Sequence, residues 1–215
     1  MPDAIEKALA AVLSERSAIG EILILTRDAG FALCHRDDEA ADRLRIFRQP
    51  EDAIQIARFD DSGNYRPLKT APSLPRGWRL EVVDLSQLRR ALDYFYPGRL
   101  AALAFWRQGK LNTTSLRETL ERQSGMYRVA AKISEDKIDD VVGNACRSDS
   151  RCLRTILWKR DKNGAGPSAK LPREKFDPTH DQTGRGNHAI PLLCQEICSI
   201  VLNECRKAAK GEIDE

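Results

Sequence analysis

Residues 20–36 constrain the fold more than any other stretch. GEILILTR (20–27) reads as a strand, Asp28-Ala29-Gly30 as a turn, and FALCHR (31–36) as the strand coming back. That hairpin commits the first half of the chain to an antiparallel sheet. Cys34 alternates inside the returning strand and reads as a small buried residue.

Helices surround the hairpin. The opening MPDAIEKALAAVLSERS places Ile5, Leu9, Val12 and Leu13 at helical spacing behind Asp3, an N-cap residue. It lacks the basic start and apolar run of a signal peptide. PEDAIQIARF opens with Pro50 and two acids and reads as a helix. SQLRRALDYFY (86–96) is a helix with Ser86 as cap, stopped before Pro97-Gly98, and residues 98–107 continue as another. From about 110 the pattern becomes mainly helical. A Ser115–Glu118 capping box starts one segment and Ser134 caps the next. CLRTILW (152–158) is short and apolar. A polar stretch rich in Gly and Pro covers 161–190, long enough inside a compact domain to read as functional or mobile. A last helix is expected from about Pro191 to Lys210, with Gly211 beyond it. The fold class is α+β: a small antiparallel sheet with helices in the N-terminal half, then a mainly helical C-terminal half.

Composition narrows the function classes. The 215 residues suffice for one large domain or two small ones. A net charge of +3 and 41% hydrophobic residues mark neither a nucleic-acid binder nor a membrane-surface protein. No apolar run is long enough for a membrane span. The expected location is the cytoplasm.

Five of the six cysteines lie beyond residue 145: Cys146, Cys152, Cys194, Cys198 and Cys205. In a reducing compartment they are not disulfides by default. Cys146 and Cys152 form one pair, and Cys194 and Cys198 another. If 191–210 is one helix, Cys194 and Cys198 share a face with Cβ atoms about 5–6 Å apart. That spacing suits two irons of a cubane. A zinc ion, with Zn–S near 2.3 Å, draws its sulfurs closer, and no tight C-x2-C knuckle is present. Three readings stay open at this point: core packing, an iron–sulfur cluster, and zinc. Cys205 lies about 10.5 Å beyond Cys198 along a helix and reads as core. His180 and His188 are additional ligands only for a zinc site. The radical-type C-x3-C-x2-C spacing is absent. Four cysteines saturate a cubane and leave no open iron for substrate.

The motifs CLRTILW and PLLCQEIC occur here with FDDSGNYRPLKTAP (59–72), PRGWRLEVVDL (75–85), YPGRLAAL (96–103) and ETLERQSGMYRVA (118–130). In combination they resemble the cluster-bearing region of multidomain CbiX-type sirohydrochlorin chelatase-like proteins, which binds a [4Fe–4S] cluster. The resemblance covers most of the chain from about residue 50. It implies Cys146, Cys152, Cys194 and Cys198 as cluster ligands. With the change of pattern near 110, the expected domains are an N-terminal α+β (stabilising) domain over 1–109 and a mainly α-helical iron–sulfur cluster-binding domain over 110–215. The chain departs from the family in having no room for chelatase domains and no chelatase histidine pattern, with His35, His180 and His188 its only histidines. Chelatase activity is not carried over, and no catalytic residue emerges.

The implied role is electron transfer or regulation, alongside tetrapyrrole or cobalamin metal insertion. The alternative is a zinc-stapled interaction module without redox function. Between Arg147 and Phe176 nine basic residues face three acidic ones. That surface suits an acidic redox partner or a polycarboxylate tetrapyrrole. Trp78, Trp106 and Trp158 read as core, with Trp158 close enough to Cys152 in sequence to shield a cluster. RQSGMYR (122–128) fits a packing corner or a binding patch equally well.

Overall fold

The computed structural model describes residues 3–65, 73–146, 154–159 and 189–212. These fall into two units. The first takes the described residues up to 110 and those at 189–192. The second takes those from 111 to 159 and from 193 to 212.

The first unit starts with the expected cap. Asp3 Oδ1 accepts from the N–H groups of Ile5 and Glu6, both at 2.9 Å, while the Glu6 carboxylate accepts from the Asp3 N–H. This capping box starts α1 (Ala4–Ala10) and satisfies N–H groups that lack intrahelical partners. Three antiparallel strands follow: β1 (Arg16–Ile19), β2 (Ile22–Arg27) and β3 (Gly30–His35). The β2–β3 hairpin pairs Ile22 with His35 and Arg27 with Gly30, so the local prediction holds in register.

The sheet is larger than expected and mixed. Its order is β4-β5-β3-β2-β1-β7, with β4 at Arg45–Phe47, β5 at Trp78–Val82 and β7 at Ala189–Ile190. The centre is antiparallel, and both edges are parallel, β4 to β5 and β7 to β1. Parallel partners need long crossovers, so neither edge announces itself in local sequence. The short helix α2 (Asp52–Ile56) lies in one such crossover.

Helices α3 (Leu85–Phe95) and α4 (Arg99–Arg107) complete the unit. The cap of α3 is Asp84, whose Oδ1 accepts from the Gln87 N–H at 2.8 Å; Ser86 lies inside the helix, which corrects the expected cap. Leu88, Leu92 and Phe95 are buried, and the Phe95 ring stacks on Trp78 with centroids 5.2 Å apart. Gly20, at φ +56°, sits beneath the Tyr96 hydroxyl, which accepts from the Glu21 N–H at 3.0 Å; a β-carbon there would collide with that ring.

The second unit is mainly helical. Ser115 caps α5 (Leu116–Glu121) in the predicted box with Glu118. The helix does not continue through RQSGMYR. Gly125 takes φ +58°, and residues Gly125–Lys132 form a tighter 3-10 run. Then come α6 (Glu135–Cys146), β6 (Arg154–Ile156), β8 (Leu192–Cys194) and α7 (Ser199–Lys210), which ends at Gly211 in the left-handed conformation. Leu116, Leu120, Ile138, Val142, Trp158 and Val201 lie at the heart of its core.

Candidate metal centre

The segment 189–198 determines the geometry, and here the structure corrects the sequence reading. PLLCQEIC is not the start of a helix. Leu192–Cys194 is a strand paired with β6, and α7 begins only at Ser199. The i,i+4 helical face proposed for Cys194 and Cys198 therefore does not exist. Ile190 precedes Pro191, and the residue before a proline is biased towards extended backbone. That signal favours strand over helix, whereas the apolar run by itself fits either.

The strand places Cys194 firmly. Its carbonyl accepts from the Leu157 N–H at 2.8 Å, and the next carbonyl, Gln195, accepts from the Thr114 N–H at 3.1 Å. Cys194 is buried, with its Sγ 3.1 Å from the Glu196 carbonyl, which it faces as a thiol donor. As a metal ligand the sulfur gives up that proton.

Cys198 occupies the N-cap of α7, with extended backbone and no side-chain capping hydrogen bond. Its sulfur thus stands at the end of the helix where N–H groups lack intrahelical partners and negative charge is favoured. Cys146 is the last residue of α6. Both pack, half-buried, against the apolar core that buries Cys194. Three thiols from three element ends thus border one core: the end of α6, the end of β8 and the start of α7. Cys152 lies outside the described residues, as do His180, His188 and the 161–188 part of the polar stretch. Among the described residues no three His, Cys, Asp or Glu side chains are gathered into a ready-made metal site.

The other two cysteines read as core. Cys205 is fully buried in α7. Cys34 is buried in β3, in the first unit, and burial pushes its thiol up against the opposing charge of Arg79. A thiol held protonated is a poor ligand and a poor nucleophile.

Trp158 adds a feature that its residue type alone does not reveal. It is 1% exposed, in the same core as Cys194, and its Nε1–H meets no acceptor among the described residues. An unmatched buried donor costs about 1–3 kcal/mol.

Residues 6–110 match the family described as the DR2241 stabilising domain, and residues 108–207 match the 4Fe-4S iron-sulfur cluster binding domain. A similar solved structure is DR2241 from Deinococcus radiodurans, described as a multi-domain protein with structural similarity to chelatases and two additional novel domains. The identity is 25% and the TM-score 0.75, over 98% of this chain and 42% of that one. This chain therefore spans less than half of that protein's length. No curated protein matches. The cofactor is a [4Fe–4S] cluster. The residues present fit it: soft thiols at element ends, an apolar shell, a helix N-terminus and a buried N–H without an acceptor among the described residues.

Proposed function

We propose, for a chain whose two halves match the DR2241 stabilising-domain and 4Fe-4S cluster-binding families, that Cys146, Cys152, Cys194 and Cys198 hold the cluster and that the protein transfers electrons or senses redox state. The observation that carries this reading is that Cys146, Cys194 and Cys198 stand at element ends bordering the same apolar core. A cubane with four thiolate ligands supplies reversible electron storage and no open iron. The protein's part is to hold the thiolates, exclude water with Ile156, Ile197 and Val201, and place the positive end of α7 beside Cys198.

The first unit contributes a six-stranded sheet and no comparable set of thiols; Cys34 is its one cysteine. The basic segment 147–176, of which 154–159 is described, supplies cations for an acidic redox partner or a polycarboxylate tetrapyrrole. The tie to tetrapyrrole or cobalamin metal insertion is supported by the chelatase likeness of the Deinococcus protein. A reducing cytoplasm suits such a site.

A mediated redox titration of the loaded chain, kept anaerobic, tests the role. Reversible bleaching and return of the visible absorption, with about one electron per chain, is the expected result. A cluster that remains bound and ignores both reductant and oxidant would instead make it a structural staple.

A further inference from the structure

We propose that the indole N–H of Trp158 donates a hydrogen bond to a sulfur of the cluster site, either a bridging sulfide or a ligand thiolate, and that this bond raises the reduction potential. The inference rests on the cluster reading above and assigns a role to a residue outside the ligand set.

Two buried tryptophans in this chain behave differently. Trp78, 3% exposed, directs its Nε1–H at the Pro75 carbonyl at 2.6 Å. Trp158 is more deeply buried, yet its Nε1–H has no acceptor among the described residues. Buried indole N–H groups usually find a partner.

The backbone holds this ring in place. Leu157 donates to the Cys194 carbonyl at 2.8 Å. Lys159 donates to Thr114 at 3.2 Å and accepts from Leu116 at 2.7 Å. Trp158 is thus pinned through both neighbours, one of them bonded directly to a proposed ligand residue. Its ring belongs to the core that holds Cys194 and Ile197, against which Cys146 and Cys198 pack. The site brings anionic sulfur, a soft acceptor, to a core in which the Trp158 N–H is an unmatched donor among the described residues. A hydrogen bond to cluster sulfur stabilises the more negative, reduced state and so raises the potential.

The test uses the full chain, loaded with iron and sulfide under anaerobic conditions. Protein grown with tryptophan labelled with 15N at the indole nitrogen is reduced and examined by pulsed EPR. A 15N coupling to the reduced cluster is expected in the native chain and absent in Trp158→Phe, whose potential also falls. Phenylalanine keeps an aromatic ring while removing the donor together with three ring atoms, and the coupling in native protein needs no variant at all. A native chain with full iron and sulfide but no indole coupling overturns this inference and leaves the cluster reading intact. An unchanged potential in a fully loaded Trp158→Phe chain overturns it as well. A native chain that takes up no iron or sulfide overturns both.

Discussion

Replacing Cys146, Cys152, Cys194 or Cys198 singly with serine is expected to cut bound iron several-fold and to remove the broad visible absorption of the loaded protein. Serine offers a hard oxygen where iron–sulfur chemistry needs a soft thiolate. Cys34→Ser serves as one control, because Cys34 lies in β3 of the other unit and burial keeps its thiol protonated. Cys205→Ala is a second control. Its position in α7 is about 10.5 Å along the axis from Cys198, too far for the same cluster. It should cost stability on the order of 1 kcal/mol as a small core truncation and leave iron unchanged. The four ligand variants should keep most of their helical circular dichroism, because the second unit buries an apolar core of its own side chains from Leu116 to Ala208. Iron assays, circular dichroism and urea unfolding on the six variants check all of this. Four ligand variants with native iron content would reject the ligand set.

Gly30→Ala should destabilise the first unit by about 3 kcal/mol or more. Gly30 opens β3 at φ +124°, a conformation open to glycine and strained for any residue with a β-carbon. The added methyl would fall on the Val82 carbonyl, with the Val83 Cα 2.8 Å away. These are backbone atoms at the end of the neighbouring strand β5, so no side chain can turn aside to make room. Gly143→Ala has the opposite sign. Gly143 lies inside α6 and, among the described residues, nothing outside its own stretch of helix lies within 4 Å of the new carbon, so alanine should stabilise by about 0.5–1 kcal/mol. Urea unfolding of the two variants beside the native chain measures both signs. A Gly30→Ala protein as stable as the native one would mean the hairpin joins the sheet in another way.

What the sequence reveals depends on how far apart the interacting residues lie. The 22–35 hairpin, the Asp3–Glu6 and Ser115–Glu118 boxes and the stop at Gly211 are legible, since each rests on residues within one turn or hairpin. The parallel edges are not. The pairing of Ala18 with Ala189 spans most of the chain, and nothing around either residue names its partner. The cysteines are legible as a set and illegible as geometry. Leu192-Leu193-Cys194 has no period that separates strand from helix, so Cys198 passes for a mid-helix residue although it caps α7. Trp158 is legible as core, but its unmatched N–H emerges only when its surroundings are known.

The most direct test of the central claim is elemental. The full chain is purified without oxygen and assayed for iron, acid-labile sulfide and zinc, with a visible spectrum recorded. A brown protein with about four irons and four sulfides per chain is the predicted result. A colourless protein with about one zinc and no sulfide would contradict it and make these thiols a structural staple.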